Sequence, residues 1–183
     1  MNNPQSLIAD VAERYIGIKE TSRNDSPKIR EFWKSTSYPN GAIDRQPWCA
    51  AFAAHCVAVA NRESSLLNLR SLPNSAAVLG WIQWASKPEN GCQVFEWTKK
   101  SVVMTPQRGD IVTFEWRTGH HIGIVGSEPY TRQETGNSYI KTIEGNTGSA
   151  GGRDGDGVFY KERQRDICHL FIRLPSIPKA NIV

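Results

Sequence analysis

At 183 residues, with 39% hydrophobic and 22% charged side chains, the chain has ordinary globular composition and enough length for a core without staples, which excludes a disordered or fibrous protein. Its 22 Lys and Arg against 18 Asp and Glu leave a net charge of +4, an aid in approaching an anionic polymer such as nucleic acid or a cell wall, but no guide to which. Four cysteines, Cys49, Cys56, Cys92 and Cys168, stand at irregular spacing with no CxxC pair, which argues against a structural zinc cluster and against a disulfide framework.

The opening residues lack both a basic stretch and an uninterrupted apolar one, so they do not read as a Sec signal peptide. No apolar run approaches the roughly 18 residues of a membrane-spanning helix. The expectation is one soluble domain over 1–183, with its core at about 7–174 and a loose tail at 175–183, made in the cytoplasm.

In chain order, Asn3 and Pro4 read as a cap and first-turn pair, after which Leu7, Ile8, Val11, Ala12, Tyr15 and Ile16 recur on one helical face and Gly17 ends it. Ser26 and Pro27 open a second short helix carrying Ile29, Phe32 and Trp33. A turn-rich stretch at 35–41 leads to Pro47. Residues 47–61 are then alanine-rich and apolar nearly all round, the mark of a buried central helix. Ser75 reads as the cap of a fourth helix that stops before Pro88. Beyond residue 100, alternating β-branched and aromatic residues predict strands at Val102–Thr105, Asp110–Trp116, His121–Gly126, Tyr139–Glu144, Gly157–Glu162 and Ile167–Leu174, the second and third forming a hairpin. Helices first and about five to six antiparallel strands afterwards predict an α+β fold with segregated layers.

One constellation carries chemistry. Cys49 falls in the first turn of the buried helix, where the helix dipole and unpaired N–H groups favour a thiolate nucleophile and can form an oxyanion hole. The competing reading is a small core residue, like Cys56 on the same face. His121 opens a strand and is placed as a general base, or is a half-exposed strand histidine; His120, its neighbour, must point to the opposite face. Glu144 and Asn146, two apart at a strand end, fall on one side by period-two geometry, where either could orient an imidazole, or they form a polar turn. Arg163 and Arg165 hint at nucleic acid, but a solvated strand end explains them, and nucleic-acid binding ranks last.

The series PWCAAFAAHC, SAAVLGWIQWAS, GDIVTF, HHIGIV and TIEGNT, in that order, resembles the CHAP amidase family, neighbours of the NlpC/P60 peptidases on a papain-like fold. The resemblance runs from about Leu7 to Arg173. It implies Cys49 as nucleophile, His121 as base, Glu144 as its orienter, and Asn146 as a secondary orienter or oxyanion contributor. Trp48 and His120 become candidate substrate-binding residues, Trp48 lining the cleft or belonging to the core. Family members mostly cut amide bonds of bacterial peptidoglycan, between muramic acid and the stem peptide or within the peptide. Some bind calcium through several acidic residues ahead of the nucleophile; here only Asp44 stands close, and no metal or organic cofactor is expected. AspGlyAspGly at 154–157 lacks the downstream glutamate of an EF-hand and reads as a turn.

A wall hydrolase without a Sec signal needs another route out, so the expectation is a phage endolysin or a type VI secretion effector acting in the periplasm or wall. The partners this implies are peptidoglycan, an immunity or inhibitor protein and a secretion-machine component, with no membrane insertion and a monomeric state. Two other readings keep the same residues: a transamidase, deamidase or small-conjugate amidase with a non-wall substrate, and a wall-binding module with an inactive site.

Overall fold

The computed structural model describes residues 5–64, 67, 69, 71–99, 104–117, 119–148 and 155–176. Helix α1 (Ser6–Glu13) buries Ile8, Ala9, Val11 and Ala12. Its cap position is Gln5 rather than Asn3; the expected Asn3–Pro4 pair lies outside the described residues. Because the helix stops at Glu13, Ile16 leaves the apolar face and is 39% exposed. Gly17 has φ +87°, and its N–H donates to the Val158 carbonyl at 3.0 Å, tying the turn to the sheet.

Helix α2 (Pro27–Trp33) starts as its sequence predicts, with Pro27 in the first turn and Ser26 Oγ accepting the Ile29 N–H at 3.3 Å. Helix α3 (Cys49–Glu63) is buried along most of its length. Small alanines let it lie close to its neighbours, with α1 and α2 on one side and the sheet on the other. Helix α4 (Val78–Ala85) begins later than the Ser75 cap predicts. Ser75 Oγ accepts from the Ala77 N–H and donates to the Ala77 carbonyl, closing a local turn that leaves Ala77 extended and delays the helix.

Among the described residues seven strands follow: β1 (Gln93–Phe95), β2 (Ile111–Trp116), β3 (Gly119–Val125), β4 (Tyr130–Thr131), β5 (Ser138–Thr147), β6 (Gly157–Gln164) and β7 (Phe171–Arg173). The sheet runs β1-β7-β2-β3-β5-β4, with β6 on the other edge of β5, and every pairing is antiparallel. The predicted hairpin is β2–β3, with Phe114 opposite His121. Of the predicted strand at 102–105, residues 102 and 103 lie outside the described set, and Met104 and Thr105 belong to no strand. The last predicted strand shortens to β7 because Arg165–Ile167 form a 3-10 turn. The short strands β1 and β4 have too few residues for an alternation to be read.

Helices packed on an antiparallel sheet make this an α+β, papain-like architecture. Ile111, Ile122, Ile124, Ile143 and Ile172 belong to the core shared with the helices. Val112, Phe114, Val125, Ile140 and Phe171 form a second cluster, and alternation puts it on the sheet's other face. His121 keeps phase with Val125, and Glu144 with Ile140. Both therefore project to that second face. Among the described residues no helix is long and apolar enough to cross a membrane.

Candidate active site

Cys49 is the first residue of α3. Trp48, at the cap position, gives the helix no side-chain cap, so the first-turn N–H groups remain free of an intrahelical acceptor and the dipole favours negative charge there. The thiol is 7% exposed and opens into a cleft of about 360 Å³ walled by Trp33, Tyr38, Pro47, Leu79 and His120. The other three cysteines are free thiols of a different character. Burial pushes Cys56 well above the ordinary thiol range, and pushes Cys92 and Cys168 up to about 12, which suits packing rather than nucleophilic attack.

His121 is fully buried, not the half-exposed rim residue of the alternative reading. Its Nε2 lies 3.0 Å from Glu144 Oε2, and the Trp116 ring stacks on it at 5.4 Å between centroids, 17° from parallel. Nδ1 is buried and closes no hydrogen bond of normal geometry. Burial alone would lower the pKa of the ring. The charge and hydrogen-bonding capacity of nearby Cys49, followed by Glu144, outweigh burial and raise it to about 9. The arrangement is an imidazole held at one nitrogen by a carboxylate and acting on a thiol, which is what a Cys–His general-base pair requires. His120 sits on the opposite phase of β3 and lines the cleft.

Two glycines make this approach feasible. A Cβ on Gly123 would fall 2.7 Å from Glu144 Cγ, so the residue between His121 and Val125 must lack a side chain. A Cβ on Gly145 would fall 2.6 Å from the Trp48 ring and 2.8 Å from Phe52 Cβ, so the start of α3 could not lie against β5.

Glu144 is fully buried and receives four contacts: His121, the Thr142 hydroxyl at 2.5 Å, and a bidentate clasp from Arg163, Nε to Oε1 at 2.8 Å and Nη2 to Oε2 at 2.5 Å. Burial alone would raise the carboxyl pKa; the bonds from Arg163 and then His121 hold it down at about 2. Arg163 is thus a buried ion-pair partner, correcting its reading as a solvated strand end. Along β6, Lys161 and Arg163 are buried and alternate with the exposed Tyr160 and Glu162.

Asn146 departs from the expected strand geometry, and Trp48 takes the second of its two readings. A bulge between Glu144 and Thr147 breaks the period-two geometry, and Asn146 takes φ +56°. Its Oδ1 accepts the Trp48 N–H at 2.7 Å and its Nδ2 donates to the Gly155 carbonyl at 3.4 Å. Oδ1 and one N–H of the amide are therefore engaged with backbone, and the hydrogen bonds that Asn146 makes here hold the chain rather than His121. Trp48 itself is fully buried and donates through Nε1 to Glu20 Oε1 at 2.9 Å, so it belongs to the core and not to the cleft.

Asp44 accepts the Tyr38 hydroxyl, and among the described residues no group of three or more His, Cys, Asp or Glu side chains is placed to hold a metal. Of the 154–157 turn, Asp154 lies outside the described residues and Gly157 begins β6.

Comparison with known families now bears on this geometry. The family model for the CHAP domain matches residues 41–146, more than half of the chain. The chain belongs to the CHAP domain family. Members are in general cysteine- and histidine-dependent amidases or peptidases of peptidoglycan, and the matched span of this CHAP domain contains Cys49, His121 and Glu144. No curated protein matches the sequence at a significant level.

Proposed function

We propose that this CHAP domain is a cysteine-dependent peptidoglycan hydrolase that cleaves an amide bond, either the N-acetylmuramoyl-L-alanine bond or one within the stem peptide. The observation that carries the reading is the juxtaposition of a cleft-facing thiol at a helix start with a buried His121 whose far nitrogen is pinned to Glu144.

In the first step Cys49 Sγ attacks the scissile carbonyl as a thiolate, and the negative oxygen meets uncapped N–H groups in the first turn of α3. His121, protonated by the thiol, gives its proton to the leaving amine as the C–N bond breaks, leaving a thioester. Water then enters, loses a proton to His121 and adds to the thioester. Collapse releases the carboxylic acid and returns the proton to the Cys49–His121 pair. Glu144 remains ionised and keeps the ring oriented.

The substrate places its action in the periplasm or wall of a bacterium, reached as a secreted antibacterial effector or as a phage lysin. An immunity protein and a secretion-machine component are the partners of the first route. Digestion of purified sacculi followed by mass spectrometry of the muropeptides tests the reading, because the new termini name the bond. Release of a free lactyl carboxylate supports the amidase form and new peptide termini the endopeptidase form. Intact sacculi beside turnover of a protein or small amide substrate would overturn it in favour of a transamidase or deamidase. Digestion by Cys49→Ala at the wild-type rate would also overturn it.

A further inference from the structure

Arg163 lies on β6, beyond the matched family span of 41–146. We propose that it is a positioning residue of the hydrolytic site: its guanidinium clasps the Glu144 carboxylate so that Glu144 can hold His121. The proposal rests on the reading of Cys49, His121 and Glu144 given above.

The geometry is that of a built fork. The Arg163 side chain is 8% exposed and Glu144 is not exposed at all, so neither charge can rely on water, and an unpaired partner would be strongly disfavoured. Two parallel bonds fix the carboxylate plane as well as its position, something a lysine ammonium cannot do. Arg163 also lies over the Phe114 and Trp116 rings at 5.2 and 5.6 Å, and Trp116 is the ring that stacks on His121. One aromatic wall therefore registers both the cation and the imidazole that share Glu144. With the Thr142 hydroxyl on Oε1, each carboxylate oxygen is engaged, and Oε2 is directed at His121 Nε2.

The ionisable groups around the carboxylate are His121 from β3, Cys49 from α3 acting on His121, Lys161 and Arg163 from β6, and Cys168 beyond β6. Of these, Arg163 is the strongest influence holding Glu144 in its ionised form against burial. Without the fork, Glu144 takes up a proton at higher pH and stops accepting from His121 Nε2, and the proton relay to Cys49 loses its anchor.

The test uses the full chain labelled with carbon-13, following the Glu144 carboxyl signal, the pH dependence of Cys49 alkylation by iodoacetamide, and kcat and KM on soluble peptidoglycan fragments. The wild-type signal should not titrate above about pH 3, whereas Arg163→Gln should move its midpoint up by about 1–3 pH units, the range over which a neighbouring opposite charge acts. The acidic limb of alkylation should move with it, and kcat should fall by about tenfold or more with KM retained. Arg163→Lys should bring back much of the low carboxyl midpoint but little of kcat, because charge returns without the fork.

A Glu144 midpoint and alkylation profile unchanged in Arg163→Gln would overturn the proposal. So would activity losses in both variants that merely track melting temperature. Should Arg163→Gln not fold, Arg163→Lys decides, since a folded lysine variant with wild-type kcat would overturn the need for a fork. The carboxyl and alkylation readings do not depend on the substrate, so failure of the peptidoglycan assignment would leave them interpretable.

Discussion

Asn146 Oδ1 accepts the backbone N–H of Trp48 at 2.7 Å, joining the end of β5 to the residue before the nucleophile across 98 positions of sequence. It is one of several bonds that fix this approach segment. Asn24 Nδ2 donates to the Arg45 carbonyl at 2.7 Å, and Trp48 Nε1 donates to Glu20, whose other oxygen accepts the Asn24 N–H. Asn24, Arg45 and Asn146 are also the non-glycine residues with positive φ among those described. Backbone strain is thus gathered around the segment that delivers Cys49, where the rest of the fold must hold it in place.

Substitutions at Asn146 separate its two roles. Asn146→Ala strands the buried Trp48 N–H and puts into left-handed backbone a residue that tolerates it less well than asparagine, a combined loss of about 2–4 kcal/mol. Asn146→Gly strands the same N–H but frees the left-handed backbone of its β-carbon, and Asn146→Asp keeps an acceptor for Trp48. Chemical denaturation should rank Asp above Gly above Ala in stability, with Cys49 alkylation slowing in the same order. An aspartate variant that folds fully but hydrolyses nothing would instead assign the amide a direct role in chemistry.

Legibility in the sequence followed the range of the governing interaction. Helix α3, Cys49 at its head, the β2–β3 hairpin and the placement of His121 and Glu144 were readable because each depends on local periodicity or on an ordered run of motifs. The shared face of His121 and Glu144 is set by strand alternation. Asn146 failed the same rule because a bulge one residue after Glu144 resets the phase. Trp48 stays open between cleft and core in the sequence because its burial depends on Gly145 and Phe52, which only tertiary packing brings to it. Arg163 was not legible because GVFYKERQ has no apolar alternation to mark which face of β6 turns inward, and its partner Glu144 lies on a neighbouring strand.

Gly123 and Gly145 should tolerate no side chain, for different reasons. Gly123→Ala pushes on the Glu144 stem, so hydrolysis should fall by an order of magnitude or more with a modest stability loss of about 1–3 kcal/mol. Gly145→Ala wedges Trp48 and Phe52 apart and should lower the melting temperature more than Gly123→Ala does. Gly17→Ala is the control: its Cβ meets nothing within 4 Å despite φ +87°, so backbone strain of about 1–2 kcal/mol should be its only effect. Wild-type kcat in Gly123→Ala would contradict the tight fit of Glu144.

His55 predicts an acid-side loss of stability unconnected with catalysis. It is buried, with Nε2 2.8 Å from the Tyr15 hydroxyl, and burial, helped by Arg62, lowers its pKa from 6.5 to about 4. Between those values the unfolded chain binds the proton and the folded one does not, so stability falls as pH falls, by roughly 3 kcal/mol over the window. Glu144 does not contribute there until pH drops below its ordinary 4.5. Stability of His55→Gln should fall less steeply than the wild type's as pH drops from 6.5 toward 4.5, and a slope matching the wild type would remove His55 as the cause.

The alkaline side belongs to His121. The folded ring titrates at about 9 against an ordinary 6.5, so its contribution to stability is complete below 6.5 and is lost as pH rises through 9. Burial opposes the shift, and Cys49 is the largest influence producing it. Cys49→Ala should therefore lower the His121 midpoint by at least about one pH unit in imidazole nitrogen-15 spectra, and the alkaline decline in melting temperature should begin correspondingly earlier. His120→Ala should leave both readings in place while weakening kcat/KM through the cleft it lines. If the His121 midpoint were the same with and without the thiol, the two side chains would not form a coupled pair, and the base would have to be sought elsewhere, with His120 the first candidate.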